Sequence, residues 1–454
     1  MPRIMVFIAA LSLLASSHFT HAASLRAGVT KIEITPAGGG IYLGGYDART
    51  SPATGVHDPL FARALVLECG DQRMALVSLD LIWFPSERVA KEAKERLGVG
   101  LVLTAASHSH STPDLLYSQK LWKPDRFKEV FRWTEDRVLE AIEKAKSDMF
   151  PARLSVAKGD ITLGYHRLIM QPNGRRTPLF QNPERIPRGP VDPTVGIIRI
   201  EDAERGTTRA VIVNYACHAV CMGGRNLEIS ADYPGPMAAK VEKSLGPNAF
   251  CMFTQGGGGS INPLFVGTYR RDETNEDCFK RAKTMGELLA DEVLRALPQA
   301  RPVGGPDDVQ WRAQTQTFAN RWTPPTKAEY YLTTGPVEIG TATVLLNRTI
   351  GIMAIPGEPH LSLQTLFKRD AGVEFPLFFG YTTSGNPKWP EYIPDIRSAA
   401  EGGYGADRRT FIEVGGAERM VNQAVIDLFD MKGMFFDKPE DQKAKVPKTA
   451  GKKK

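Results

Sequence analysis

The most constraining feature of this sequence is a series of short apolar runs, rich in Val, Ile and Leu, that alternate with longer amphipathic segments. Runs that are apolar at every position are typical of strands with both faces covered. They lie at 64–67, 74–79, 101–103, 195–200, 210–213 and 249–253. Apolar residues three and four apart predict helices at 86–97, 126–146, 237–245, 278–297 and 418–429. The order predicts an α/β fold in which mixed sheets are covered by helices.

Two strand-rich stretches, 308–318 and 337–354, follow one another without a long helix between them and predict an antiparallel section. No internal repeat and no Pro-, Gly- or Ser-rich linker divides the chain. With 42% hydrophobic and 24% charged residues, the 454-residue chain can bury a large core. At the usual domain size this length would suggest two or three domains, but single mixed α/β domains also run long, so the number of domains stays open.

The two ends of the chain differ in composition from the rest. Residues 1–23 contain Arg3, an apolar run from Met5 to Ala15 and small residues near position 22, which is the pattern of a cleaved export signal. A run of about 11 apolar residues is too short for a bilayer core, which needs roughly 20. We expect an exported protein, periplasmic or extracellular, without a transmembrane segment. The Lys-rich tail, 437–454, is predicted to be disordered.

The net charge of +6 does not indicate a nucleic-acid partner. Seven Lys and two acids within 438–454 supply five of these charges, so the rest of the chain is nearly neutral. No basic groove is implied.

The five cysteines do not suggest a disulfide framework, because their number is odd and low for an exported chain of this length. They are Cys69, Cys217, Cys221, Cys251 and Cys278. Two of them flank His218 and could join a metal cluster. Isolated cysteines in apolar runs more often pack as small hydrophobes, and we favour that interpretation.

A pair of histidines follows the apolar run at 101–103 in the sequence His108-Ser-His110. Residues two apart on an extended backbone point to the same side, so both imidazoles can face one centre. Two adjacent imidazoles need polar partners, which favours a metal or acid–base role over core packing. Several metal hydrolase folds use this pair, so it does not choose among them.

Two other strand ends carry similar side chains. The run at 210–213 leads to His218, and the strand-like segment at 352–355 is followed by a Pro-Gly turn and Glu358. A carboxylate before a helical run is also typical of a helix N-terminus, and Pro359 keeps that alternative open. Two histidines and one glutamate meet the demand of a catalytic zinc site, which keeps an open position for water. The Gly-rich run at 256–260 follows a strand and precedes Asn-Pro, which indicates a tight functional turn.

These motifs resemble the neutral/alkaline ceramidase family. The segment Ser-His-Ser-His-Ser-Thr-Pro at 107–113 is similar to the family signature Thr-His-Thr-His-Ser-Gly-Pro. Other matches occur in family order at 27–36, 44–46, 55–65, 215–218, 356–358, 380–383 and 401–404. The resemblance spans about 26–435 and implies one ceramidase-like zinc hydrolase domain at 24–436. The family's separate immunoglobulin-like C-terminal domain is not expected here.

The resemblance also implies a set of site residues. One zinc ion would be bound by His108, His218, Glu358 and Tyr381. His110 would contact the reacting centre, Arg167 the substrate, and Tyr404 would be a further active-site tyrosine. A tyrosine ligand to zinc is unusual, so Tyr381 rests on the resemblance, and aromatic packing at a strand end is the alternative.

One turn departs from the family pattern Gly-Asp-Val-Ser-Pro-Asn, whose serine lies at the active site. Here the turn reads Gly-Gly-Ser-Ile-Asn-Pro at 258–263. Alignment on the proline places Asn262 at the family serine and Ser260 at the family aspartate. Both are candidate site residues, and ceramidase activity itself is put in question.

The sequence therefore predicts a secreted zinc-dependent amidohydrolase acting on an N-acyl amide, ceramide or a related lipid amide. Zinc lowers the pKa of a bound water from about 15.7 to about 7, which makes hydroxide available at neutral pH. Arg167, Tyr404 or the backbone of 256–262 would stabilise the oxyanion, and His110 would protonate the leaving amine. The alternatives are a zinc hydrolase of a non-lipid amide or ester, and an exported binding module without turnover, motivated by Asn262. Peripheral membrane contact is left open.

Overall fold

The computed structural model describes residues 24–117, 120–267, 273–322 and 335–435. The predicted signal at 1–23 and tail at 437–454 lie outside the described residues.

The described strands, in chain order, are β1 (Arg26–Glu33), β2 (Gly55–Val56), β3 (Phe61–Cys69), β4 (Gln72–Leu79), β5 (Leu101–Ala106), β6 (Phe150–Asp160), β7 (Gly164–His166), β8 (Leu168–Met170), β9 (Arg176–Pro178), β10 (Thr194–Asp202), β11 (Thr208–Tyr215), β12 (Glu228–Ile229), β13 (Phe250–Gln255), β14 (Ile261–Pro263), β15 (Arg301–Pro302), β16 (Val309–Phe318), β17 (Val337–Leu346), β18 (Ile350–Ala354), β19 (Glu358–Pro359), β20 (Phe375–Phe379), β21 (Thr382–Thr383) and β22 (Tyr392–Ile393). The described α-helices are α1 (Glu87–Leu97), α2 (Pro124–Ser147), α3 (Pro234–Leu245), α4 (Asn275–Ala296), α5 (Leu361–Asp370), α6 (Ile396–Glu401) and α7 (Gly416–Met431).

Most strands belong to two mixed sheets. The larger has the order β13-β11-β10-β6-β1-β3-β4-β5-β21, with β15 also paired to β6. The smaller has the order β16-β17-β18-β20, in which the first two pairings are antiparallel and the last is parallel. The predicted mixed α/β fold and the antiparallel section are thus confirmed.

The two sheets pack face to face and form one apolar core between them. Ile198 and Ile212 of the larger sheet share this core with Val344, Ile352 and Leu377 of the smaller one. Neighbouring residues on the same strands, such as Ile197, face the other way toward α3 and α4. This alternation explains the continuous apolar runs, because each strand is buried on both faces.

Helices cover the outer faces of both sheets, which gives four layers. The helices α1 and α2 pack on the half of the larger sheet that contains β3, β4 and β5, whereas α3 and α4 cover the half with β10, β11 and β13. The helices α5 and α7 cover the smaller sheet. No helix among the described residues is both long and apolar enough to cross a bilayer.

Candidate metal centre and active site

The predicted metal ligands follow the carboxyl ends of strands from both sheets. His108 follows β5 and His218 follows β11, in the larger sheet. Glu358 follows β18 and Tyr381 follows β20, in the smaller sheet. The strands β18 and β20 are parallel neighbours, so their carboxyl ends lie side by side. Four distant parts of the chain are thereby brought to one end of the two-sheet core.

The carboxylate of Glu358 joins the two predicted histidine ligands. Its Oε2 atom lies 3.3 Å from Nε2 of His108 and 3.1 Å from Nε2 of His218. His110 Nε2 lies 3.1 Å from His108 Nε2. Within the described ranges, the three histidines offer ligand atoms that all lie within 4.8 Å of one another. The cluster is therefore compact enough for its members to share one ion.

Backbone carbonyls orient both imidazoles toward this centre. His108 Nδ1 lies 3.0 Å from the carbonyl of Ile82, and His218 Nδ1 lies 2.6 Å from the carbonyl of Gly258. Because a carbonyl only accepts, each Nδ1 must carry a proton, so Nε2 is the ring atom that faces Glu358 and can bind an ion. This outer hydrogen bond is the arrangement that holds histidine ligands in metal sites.

The protonation states also suit a cation. Burial, followed by the neighbouring histidines, holds the pKa of His110 well below its usual value, and burial lowers the pKa of His218 to about 4. Although burial opposes it, the contact with His108 and His218 keeps the pKa of Glu358 well below the usual range. At neutral pH the imidazoles of His110 and His218 are therefore neutral and the carboxylate of Glu358 is ionised.

Tyr381 presents its hydroxyl to the same cluster. The residue is fully buried, its ring lies 4.3 Å from that of His108, and its Oη has no hydrogen-bond partner within the described part of the chain. Both Tyr381 and His108 have a positive φ, 54° and 62°. Such conformations are costly for these residue types and concentrate at functional sites. Aromatic packing alone does not account for an unpartnered hydroxyl in this position.

Arg167 lies across the cavity from the histidines and is held by a dense set of acceptors. It donates from Nη1 to Oδ1 of Asn262 over 3.1 Å and from Nη2 to the carbonyl of Gly259 over 2.7 Å. A third bond runs from Nη2 to Oη of Tyr392 over 2.9 Å. The guanidinium also lies 5.1 Å from the ring centre of Tyr404. Arg167 and Tyr404 are thus brought together, as their predicted roles require.

The structure distinguishes between Asn262 and Ser260, the two candidates to replace the family serine. Asn262 lines the cavity and contacts Arg167. The hydroxyl of Ser260 accepts a hydrogen bond from the backbone of Leu361 over 3.3 Å, and Ser260 is not among the residues that line the cavity. Of the two candidates, Asn262 is therefore the one whose side chain reaches the cavity.

The cavity beside the cluster has two compartments that meet at His110. We call the first the charged compartment: it measures about 170 Å³ and is lined by Asp47, Arg49, Asp114, Lys120, Glu391 and Arg409, among others. We call the second the wide compartment: it measures about 450 Å³ and includes Phe180, Val220, Val266, Arg167 and Asn262. Both compartments share Tyr46, Tyr392 and Tyr404 as walls.

Sequence reasoning missed several residues of this cavity. Tyr392 binds Arg167 directly, and Glu391 next to it is buried with a pKa raised to about 8 by burial and the nearby Glu358. Arg49 ties two loops together by donating to the carbonyls of Gly44, His110 and Gly223. Only the tripeptide Pro-Glu-Tyr at 390–392, between two Pro- and Gly-rich stretches, could have drawn attention to this region.

His360 was also given no role. It is buried, burial and Arg167 lower its pKa to about 3, and neither ring nitrogen has a hydrogen-bond partner among the described residues. It follows Glu358 by two positions and lies against Tyr392.

Several known proteins are similar to this chain in sequence. Neutral ceramidase of Mycobacterium tuberculosis is 26% identical over 298 residues, which cover 59% of this chain and 45% of that protein. Neutral ceramidase of Pseudomonas aeruginosa is 26% identical over 52% of this chain and 37% of its own length. Neutral ceramidase A of Dictyostelium discoideum is 27% identical over 55% and 37%. The alignments thus span less than half of these relatives.

Solved structures share the fold. The crystal structure of neutral ceramidase from Pseudomonas aeruginosa superposes with a TM-score of 0.71 at 17% identity and covers 90% of this chain and 75% of that chain. A structure of ceramidase complexed with C2 gives the same TM-score over 76% of its chain. The family model for the N-terminal part of neutral/alkaline non-lysosomal ceramidase matches residues 25–297. Since that match covers more than half of the sequence, the chain belongs to the neutral/alkaline non-lysosomal ceramidase family.

Proposed function

We propose that this protein is an exported zinc-dependent amidohydrolase that cleaves the N-acyl amide bond of ceramide or a related lipid amide. The observation that carries the proposal is the convergence of His108, His218 and Glu358, with contacts of 3.1–3.3 Å between buried donor atoms. Family membership supports the amide as the bond that is cleaved. We assign the reaction to one domain at 24–436, with export directed by residues 1–23.

The donor set fits zinc. Two imidazoles, one carboxylate and one phenol oxygen supply the N and O ligands that this ion accepts. His108, His218, Glu358 and Tyr381 would hold the ion, and the carbonyls of Ile82 and Gly258 would orient the imidazoles. When bound, the ion supplies a Lewis acid and an activated water at neutral pH.

The other cavity residues position the amide and handle its protons. Arg167 is fixed by three acceptors, so its guanidinium presents a positive charge that requires little reorganisation when an oxyanion develops. His110, at the meeting point of the compartments, is neutral at pH 7, so its imidazole can take up a proton and pass it to the leaving amine. Burial of the cluster excludes bulk water, which strengthens these interactions.

Metal analysis of purified variants tests the proposal. We expect about one zinc per chain in the wild type, and loss of both zinc and amide hydrolysis in His108→Ala and His218→Ala, because each substitution removes one of few ligands. His57→Ala is the matched control, since His57 is partly exposed and lies in a different cavity. Unchanged zinc in both ligand variants would remove the site from consideration.

A substrate panel separates the remaining functions. Ceramide, a non-lipid amide and an ester with the same acyl group would be compared at equal concentration. Faster turnover of the lipid amide supports the proposal, whereas preference for the non-lipid amide or the ester identifies another zinc hydrolase. Zinc and ligand binding without any turnover would identify a binding module.

A further inference from the structure

The two compartments of the cavity differ in what they can hold. The wide compartment has Phe180, Val220 and Val266 in its wall, which suits the methylene groups of a chain. The charged compartment is smaller, and seven of its described lining residues are charged, against three in the wide compartment, Asp47, Arg167 and Arg225. Burying methylenes against such groups desolvates them without replacing their hydrogen bonds. The amide bond at His110 therefore places an acyl chain on the wide side and a polar amine half on the charged side.

Glu391 differs from the other acids of the charged compartment in its hydrogen bonding. Glu391 is 4% exposed. Its Oε1 makes no hydrogen bond of acceptable geometry within the described residues, although the Tyr117 hydroxyl lies near the same carboxyl and partly offsets the rise in its pKa. The nearby cations are engaged elsewhere. Arg409 pairs with Asp47 at 2.8 Å, and Arg49 donates to three carbonyls. A buried carboxyl group left in this state is costly unless a ligand supplies a hydrogen-bond partner.

The backbone at Glu391 gives a second, independent indication. Its φ is 59°, a left-handed conformation that glycine adopts without cost and glutamate does not. Its carbonyl accepts from the backbone N–H of Glu358 over 2.8 Å, which couples the segment to the metal cluster. The position thus keeps a side chain that its backbone disfavours, and the side chain faces the cavity.

We propose that Glu391 is a specificity-determining residue that recognises a hydroxyl group on the amine half of the substrate. The inference rests on the proposed function, since it assigns one side of the amide bond to the charged compartment. A hydroxyl suits this place better than an ammonium group. The compartment already contains Arg49, Lys120 and Arg409 beside its four acids, and a neutral hydroxyl can pair with Oε1 without changing the net charge.

Two amides that differ only by this hydroxyl test the inference: N-dodecanoylethanolamine and N-dodecanoylethylamine. We expect wild-type kcat/KM to favour the hydroxylated amide at least about tenfold, because an analogue that lacks the group leaves Oε1 unpaired. Glu391→Leu should bring the ratio close to one, mainly by slowing the hydroxylated amide. Glu391→Gln keeps an acceptor oxygen and should retain most of the preference.

Two further variants control for misfolding of Glu391→Leu and for the loss of a carboxyl outside the compartment. Glu391→Gly removes the carboxyl and relieves the left-handed backbone, so it reports on the side chain if Glu391→Leu does not fold. Glu418→Leu is the matched control, since Oε2 of Glu418 also has no hydrogen-bond partner among the described residues, but Glu418 does not line the charged compartment. It should leave the ratio unchanged.

Binding measured without turnover separates this inference from the proposed function. Trp83 lines the charged compartment, so its fluorescence reports the Kd of each amide. A wild-type preference in Kd that Glu391→Leu abolishes supports the inference even if neither amide is hydrolysed. A ratio of kcat/KM or Kd that stays the same in Glu391→Leu and Glu391→Gly would overturn it. Equal losses for both amides would also overturn it, because they indicate a structural role.

Discussion

At the scale of single residues, the partners of each imidazole decide its chemistry. His108 and His218 each use Nδ1 for a carbonyl and leave Nε2 for the cluster. His166 is equally buried, but its Nδ1 contacts the backbone of Leu168 outside the ligand set. The sequence identified the first two because each follows an apolar strand. It did not reveal which carbonyl each ring would meet, because those carbonyls come from other segments.

The buried His166 predicts a loss of stability in acid. Burial lowers its pKa to about 4 in the folded protein, whereas the unfolded chain takes up the proton near pH 6.5. Above pH 6.5 His166 is neutral in both states and does not lower the stability. As the pH falls from 6.5 toward 4, the unfolded chain takes up a proton that the folded protein does not, so the free energy of unfolding falls. The change amounts to about 3 kcal/mol. The free energy of unfolding of the metal-free protein, measured with urea between pH 7.5 and 4.5, should fall less steeply in His166→Asn than in the wild type.

The control for this experiment is His57→Asn. The His57 side chain is 41% exposed, so its removal should leave the pH dependence as it is in the wild type. Parallel pH profiles of His166→Asn and the wild type would contradict the prediction.

At the scale of elements, the Gly-rich turn after β13 positions the site. A Cβ on Gly259 would lie 2.4 Å from the carbonyl oxygen of Glu358 and 2.8 Å from that of Pro359. The absence of side chains thus lets this turn approach the Glu358 strand closely. From there the turn offers one carbonyl to His218 and another to Arg167. The sequence predicted a tight functional turn here, but its contacts were not predictable, because they join segments about 100 residues apart.

Gly259→Ala is expected to disturb both stability and metal binding. Its methyl group would collide with backbone atoms, which cannot rotate away, so the turn or the Glu358 strand must shift. We expect a loss of about 1–3 kcal/mol in the free energy of unfolding, together with weaker zinc binding and slower hydrolysis. Denaturant titration and metal analysis would measure these effects.

Gly304→Ala provides the comparison, because a Cβ there meets no atom within 4 Å. It should change stability by less than about 0.5 kcal/mol. A Gly259→Ala protein that matches Gly304→Ala in both measurements would show that the close approach has no role.

At the scale of the whole molecule, the two sheets share one apolar core, so we expect them to unfold as one unit. Leu377 of β20 is 2% exposed, and a Cβ on Gly196 of β10 would lie 2.5 Å from its Cδ2. Leu377 thus fills space over a strand of the opposite sheet. We expect Leu377→Ala to lower the free energy of unfolding by about 2–5 kcal/mol. Because the core is shared, tryptophan fluorescence and circular dichroism should report one coincident transition.

Leu288→Ala is the matched control, since Leu288 is 38% exposed and its truncation should cost less than about 0.5 kcal/mol. Two separate transitions in Leu377→Ala, with only one of them shifted, would show that the sheets unfold independently.

Sequence alone was enough to predict the class of fold, which the structure confirms, and to name candidate metal ligands. Runs such as 195–200 are apolar on both faces, and each histidine follows a strand, so local patterns were sufficient for both. Only the tertiary structure decided that His108, His218, Glu358 and Tyr381 meet, that Asn262 reaches the cavity instead of Ser260, and that Glu391 lies within it. The physical reason is that these contacts depend on how two sheets pack and how their loops close, which no periodicity within one segment encodes.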